Sequence, residues 1–343
     1  MRTFMRRLAF RADHVARGRG VGLILVYHRV ADEPSDPYGL CVTPAHFEEH
    51  VQVLQRLGAP MSVGGMGRAV RDGSLPYRAM GITFDDAYVD VLEAAVPILR
   101  HHEVPATVFV TLGPGGRDRE FWWDELERVL LEPGMLPETL ELELDGSRRS
   151  WSLGGDANYD PDAANPACEW RLFDGHEPTA RHAVFRELYF LLRPLSPDAR
   201  AHAMDELVGW AGQKGTPVRR SRQVLSADDV ADMTADGLIE AGAHTVTHVD
   251  MPSQSAHTQN AEARRSKEEL ERWAGRAVEG FAYPYGRYDA GSVAAVRAAG
   301  FAFACSGDHR VVRPGDDPLT LPRVDVPPGD GDVLAALIRQ FLG

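Results

Sequence analysis

Two adjacent carboxylates, Asp85 and Asp86, end an apolar run from Met80 to Phe84, and two histidines four residues apart, His244 and His248, follow a second apolar run from Leu238 to Ala243. Imidazole and carboxylate together can hold a divalent cation while leaving coordination positions open, and a second carboxylate can take a proton. Successive side chains on a strand point to opposite faces, so Asp85 and Asp86 can share one site only if the strand ends there and the backbone turns. A Thr/Asp helix start is the competing reading, because Ala87 to Leu99 has the pattern of a helix. A spacing of four between histidines is common by itself; next to a carboxylate pair at a comparable strand end it points to a metal site. His28 also closes an apolar run, Val21 to Tyr27, where a histidine serves either catalysis or structural hydrogen bonding.

The elements that must position these residues alternate. Val21 to His28, Met80 to Phe84, Pro105 to Thr111, Leu238 to Ala243, Val278 to Tyr283 and Phe301 to Ser306 read as strands buried on both faces, with a short last strand over Leu321 to Val326. Helical patterns separate them. Thr43 and Pro44 open one with Phe47, Val51, Leu54 and Leu57 on one face and Gly58 as its stop, and Ser226 with Asp229 opens another as a capping box. Strand, helix, strand, helix predicts parallel βα units and an α/β fold.

Between residues 113 and 224 the alternation stops. Phe121, Trp122 and Trp123 lead an amphipathic helix, short strands are expected near Leu140 to Leu144 and Trp151 to Leu153, and two further helices follow over Thr179 to Leu192 and after Ser196 and Pro197. This segment is expected to be a mostly helical insertion or subdomain over the barrel mouth, splitting the main domain into 20–112 and 225–343. Trp122 and Trp123 either line a substrate pocket or belong to the insertion's core.

The 37 basic and 50 acidic residues give a net charge of −13, which argues against general nucleic-acid binding. Cys41, Cys168 and Cys305 are odd in number and far apart, so the expected compartment is the reducing cytoplasm. Residues 1–19 carry six arginines without a sustained apolar segment; a basic helix is expected there, with weak peripheral contact to an anionic membrane as one use of it.

Thr83-Phe84-Asp85-Asp86, the segment His244 to His248, and the segment Phe281 to Gly286 with Tyr283, Pro284 and Tyr285, in that order, resemble the motifs of the polysaccharide deacetylases, the NodB-homology or family-four carbohydrate esterases. The resemblance covers about 20–112 and 225–326. It implies a distorted (β/α) barrel of about seven strands, a divalent metal that is usually zinc, with cobalt, nickel or manganese as alternatives, and removal of an N-acetyl group from an amino sugar. By position it makes Asp86, His244 and His248 the metal ligands, Asp85 the base, and the Tyr285 backbone N–H a donor to the oxyanion.

Two features depart from the family pattern. The usual C-terminal Leu-x-x-His is missing, but Leu25 to His28 satisfies it at the other end of the chain, as in biofilm poly-N-acetylglucosamine deacetylases, which implies that His28 is the general acid. Ala282 stands where an arginine usually orients the base; Arg287 or Arg323 are the candidate replacements, and Asp325 is a candidate to orient His28. The expected substrate is an intracellular glycoside, nucleotide sugar or lipid-linked glycan. Deformylation or amide hydrolysis of a non-sugar metabolite, and a non-catalytic glycan- or partner-binding barrel, are the competing functions.

Overall fold

The computed structural model describes residues 20–113, 119–160 and 168–343; the basic helix expected over residues 1–19 lies outside them. Seven parallel strands form the main sheet: β1 (Val21–Tyr27), β2 (Tyr77–Phe84), β3 (Ala106–Val110), β4 (Ile239–Ala243), β5 (Gly280–Ala282), β6 (Phe303–Cys305) and β7 (Val324–Asp325), in the spatial order β6-β5-β4-β3-β2-β1-β7. Ala59–Pro60 adds a short pairing beside β2. All seven residues of β1 are buried, as a strand covered on both faces requires. The sheet curls until its edges meet. Leu321 bridges to Cys305 of β6 while Val324 pairs with Leu25 of β1, so the segment 321–325 carries the sheet from one edge to the other. The arrangement is the distorted (β/α) barrel expected from the sequence.

Among the described residues ten α-helices accompany the strands: α1 (Pro44–Leu57), α2 (Val63–Arg71), α3 (Val96–His101), α4 (Trp122–Leu131), α5 (Ala180–Leu192), α6 (Pro197–Trp210), α7 (Ala227–Thr234), α8 (Ala256–Ala274), α9 (Ala290–Ala298) and α10 (Gly331–Leu342). The capping signals act as read. Thr43 accepts from the His46 N–H with Pro44 at the first helical position, α1 buries Phe47, Val51 and Leu54, and Ser226 and Asp229 form a reciprocal box at α7. The helix expected from Ala87 starts later, in a π turn over Val91–Ala95 that runs into α3. Ala87 has a left-handed φ of 66° and Tyr88 bridges to Val224, so the chain is committed elsewhere until Asp90. Asp85 and Asp86 therefore do not cap a helix.

The segment between β3 and α7 contains α4, α5 and α6, and also an antiparallel hairpin, Thr139–Leu144 with Ser147–Ser152, where the sequence predicts two short strands. Leu140, Leu142 and Leu144 alternate with exposed residues and pack into a second apolar core with Leu126, Leu130, Phe185, Leu188 and Leu207. Tyr88 of the barrel joins that core. Around it lies a network of buried ions: Arg29 binds Asp90 and Glu33, and Arg222 binds Glu33, Asp124 and Glu127. Losing one partner of such a network strands a charge away from water, which costs several kcal/mol. The insertion is thus fastened to the strand ends by ions as well as by packing.

Candidate active site

At the end of β2 the ladder continues for one residue, with the Asp85 N–H donating to the Tyr27 carbonyl, and the backbone then turns left-handed at Asp86 and Ala87, with φ of 70° and 66°. That turn lets two neighbouring carboxylates face one cleft. Positive φ at non-glycine residues is costly and persists where the surroundings impose it. Among the described residues eight non-glycine residues have positive φ; four of them, Asp86, Thr245, His248 and Tyr285, belong to the three motif segments, and Ala87 directly follows the first segment.

His244 extends β4, its N–H donating to the Val110 carbonyl, and its Nδ1 lies 2.8 Å from the Ala282 carbonyl. A carbonyl only accepts, so the ring proton sits on Nδ1 and Nε2 keeps a free lone pair. Burial holds the imidazolium form down, to a pKa of about 4, so this nitrogen stays available as a ligand at neutral pH. Residues 244–250 form a loop rather than a helical turn. Glu262 braces it by accepting from the Val246 and Thr247 N–H groups and the Thr247 hydroxyl, and Arg200 of α6 donates to the Thr247 carbonyl. His248 Nε2 comes within 3.2 Å of Asp86 Oδ1, and His244 Nε2 within 3.8 Å of the same oxygen.

These three ligand atoms lie within 4.8 Å of one another. Among the described residues Asp86 Oδ1 is buried without a hydrogen-bond partner; burial opposes its ionisation, but the nearby His248 outweighs that and holds the carboxyl below its usual range. An orphaned carboxylate oxygen facing two imidazole nitrogens suits a divalent cation of the zinc type and leaves other coordination positions open.

Asp85 faces the other way. Arg323, in the segment that closes the barrel, donates from Nη1 to Oδ1 at 2.7 Å and from Nη2 to Oδ2 at 2.8 Å, and also from Nη1 to Thr83 Oγ1. Burial opposes ionisation of Asp85, but the guanidinium and the nearby His244 outweigh it and hold the carboxyl well below the usual range.

The cleft above these residues has a volume of about 440 Å³. His28 is half-buried in its wall with Asp85, Asp86, Tyr285, Arg323 and Trp123. The Trp123 ring packs 4.6 Å from His248, and Tyr285 lies at the same distance from it. Asp325 lies exposed on the rim and, among the described residues, makes no hydrogen bond with His28. Four candidates lie outside the cleft lining. Arg287 donates to Asp250 instead of Asp85. Tyr283 is core, its hydroxyl donating to the Leu319 carbonyl, and Pro284 is buried beneath the turn. Trp122 packs on Tyr189 and Arg200. Tyr38, Phe173, Tyr189 and Arg193 line the cleft without any motif or spacing that could have singled them out.

The family description for polysaccharide deacetylases matches residues 72–133 and 200–304, which contain Asp85, Asp86, His244, His248 and Tyr285 but neither His28 nor Arg323. No curated protein matches the chain. The fold is similar to the Streptococcus pyogenes deacetylase PplD in complex with acetate (16% identity, 93% of this chain and 98% of that one, TM-score 0.56). It is also similar to IcaB from Ammonifex degensii (17%, 93% and 97%, 0.55) and to the polysaccharide deacetylase BA0330 from Bacillus anthracis (16%, 93% and 69%, 0.54). With the motif segments placed around one cleft and the family match spanning them, the chain belongs to the polysaccharide deacetylase, or NodB-homology, family of hydrolytic enzymes.

Proposed function

We propose that this protein hydrolyses the N-acetyl group of an amino-sugar-containing substrate, with zinc held by Asp86, His244 and His248. The observation that carries the reading is the Arg323 fork on Asp85 immediately beside the Asp86 and histidine cluster: one carboxylate is reserved for a proton and the other for a cation. A divalent ion supplies Lewis-acid activation of an amide carbonyl and of water. Asp85, ionised and fixed in direction by Arg323, takes the proton from the attacking water. The Tyr285 backbone N–H, on a turn with φ of 59°, donates to the oxygen that gains charge as the carbonyl becomes tetrahedral. His28, across the cleft, gives a proton to the nitrogen as the C–N bond breaks, so that water and amide leave as acetate and amine. Trp123 covers His248 and excludes water from that side.

A cytoplasmic site of action is part of this proposal, supported by three unpaired cysteines. The test is elemental analysis of wild type and His248→Ala together with acetate release from a panel of N-acetylated amino sugars. One metal per chain, lost in the variant along with acetate release, supports the reading. Bound metal with release of formate, or hydrolysis confined to non-sugar amides, overturns the substrate class.

A further inference from the structure

Tyr285 offers its backbone N–H to the cleft from a left-handed conformation, and its neighbours on either side are tied down while its own side chain is not. The Gly286 N–H donates to the Tyr283 carbonyl and the Gly307 N–H to the Gly286 carbonyl, both at 2.8 Å. Among the described residues the Tyr285 hydroxyl is buried without a hydrogen-bond partner. Only ring contacts place it. His248 meets the ring edge-on at 4.6 Å, and the guanidinium carbon of Arg193, from the insertion, lies over it at 4.0 Å from the centroid.

Arg193 is itself held from several sides. It follows directly on α5, its N–H donating to the Tyr189 carbonyl at 3.1 Å, and the next two carbonyls, Pro194 and Leu195, accept from the Gln254 side chain at 3.1 and 3.2 Å. Asp250, buried two residues beyond His248, pairs with Arg193 at 3.4 Å and also with Arg287, which follows the Tyr285 turn. One carboxylate thus links the insertion, the histidine loop and that turn. The Arg193 distance is that of an ion pair and longer than a good hydrogen bond, so the ring as well as the carboxylate sets where the guanidinium lies. A guanidinium stacked on an aromatic face is attracted to it, and a non-glycine residue keeps a positive φ where its surroundings impose it. Arg193 lies outside the residues that match the family description.

We infer that Arg193 is a positioning residue for the oxyanion donor: clamped over the Tyr285 ring, it holds Tyr285 in the left-handed conformation that aims its N–H at the oxygen gaining charge. The inference deepens the deacetylase reading above and rests on its hydrolytic chemistry. That donor must point to where the oxygen lies in the tetrahedral intermediate, so loss of the clamp is felt in the transition state and not in substrate binding. An arginine reserved for an anionic group on the substrate would behave the opposite way, raising KM when it is removed.

The experiment measures kcat, KM and metal content with an activated acetate ester and with N-acetylated amino sugars. The proteins are wild type, Arg193→Met, Arg193→Gln, Arg193→Lys, Tyr285→Gly and the double variant Arg193→Met with Tyr285→Gly. Methionine keeps apolar packing without the charge, and glycine reaches positive φ without a clamp. Removing an oxyanion donor outright costs about 10²- to 10³-fold in kcat, so misaiming it in Arg193→Met is expected to cost about tenfold on both substrates, with KM and metal content unchanged. Arg193→Lys, which keeps a cation over the ring, recovers most of the loss. In the Tyr285→Gly background Arg193→Met costs less than about twofold, because the ring it acts through is gone. An unchanged kcat in Arg193→Met, a tenfold loss that persists in the glycine background, or a rise in KM with kcat unchanged overturns the clamp. If Arg193→Met lacks a cooperative thermal transition, Arg193→Gln carries the same comparison. The expected pattern on the ester, with no acetate from any amino sugar, keeps the clamp and overturns the deacetylase reading; no turnover of either substrate by metal-loaded wild type overturns both.

Discussion

Arg323 grips both oxygens of Asp85, at 2.7 and 2.8 Å, from a segment that begins paired to β6 at Leu321 and ends paired to β1 at Val324. The residue that orients the carboxylate is therefore also at the seam where the barrel closes. A forked guanidinium fixes direction as well as charge, and it does so from a strand end 238 positions away in sequence.

Replacing Arg323 separates these two effects. Arg323→Gln removes the charge that keeps Asp85 ionised, so the Asp85 pKa rises and the acid limb of kcat/KM moves to higher pH; activity at low pH is lost first, because a protonated Asp85 cannot accept a proton. Arg323→Lys keeps the charge but loses the fork. Its acid limb stays near that of wild type while kcat falls by about a hundredfold through misorientation. A pH–rate profile of the three proteins checks this, and superimposable acid limbs for wild type and Arg323→Gln would contradict it.

The two histidines of the cluster are oriented by different means. His244 has a hydrogen-bonded Nδ1, whereas His248 Nδ1 is buried without a hydrogen-bond partner among the described residues, and its ring is held instead between Trp123 and Tyr285. Trp123 is fixed in turn, its Nε1–H donating to the Tyr88 hydroxyl, which donates to Asp124. Losing an orienting partner of a ligating histidine lowers metal affinity by about 10- to 100-fold. Trp123→Ala is expected to show a drop of that size in competition with a chelator, and Trp123→Phe a smaller one. Asp85→Asn should retain metal and lose turnover, whereas Asp86→Ala loses both.

Much of this site was legible because its parts are short-range. Asp85 and Asp86 share a strand end, His244 and His248 share a loop, and the apolar runs that deliver them are buried strands whose pattern is read directly. What replaces the arginine absent at Ala282 could be narrowed only to Arg287 and Arg323. The choice depends on Arg287 being drawn to Asp250 and on Val324 pairing with Leu25, and neither pairing has a local signal. The same holds for the insertion. Adjacent tryptophans differ in role, Trp122 as core and Trp123 as cleft wall, because α4 turns them to different faces. Arg193 meets Tyr285 only once α5 is packed.

His182, inside the insertion, gives a pH dependence independent of the metal cluster. Burial against Trp170 and Tyr159 lowers its pKa from 6.5 to about 4, with Nδ1 beside the Thr179 hydroxyl. The unfolded chain takes up this proton first, so between about pH 6.5 and about pH 4 it binds more protons than the native state and stability falls as pH drops; below about 4 the contribution levels off. Urea denaturation across this window, compared with His182→Gln, isolates the effect. The variant should lose less stability on acidification than wild type, and equal pH slopes would remove His182 from the account.

His28 is placed to protonate a leaving nitrogen, and the chemistry of the leaving group tests that placement. An amine cannot depart from a tetrahedral intermediate as its anion, whereas the phenolate of an activated acetate ester leaves unprotonated. His28→Ala is expected to slow N-acetyl hydrolysis by about 10²- to 10⁴-fold, the range for one general acid, and ester hydrolysis far less. His28→Gln is the companion variant, since it keeps hydrogen-bonding capacity and bulk without a titratable proton. If it matches His28→Ala on the amide and approaches wild type on the ester, the proton is the contribution. Equal losses on both substrates, with metal content unchanged, would mean that His28 shapes the cleft wall and that the amine takes its proton from another source.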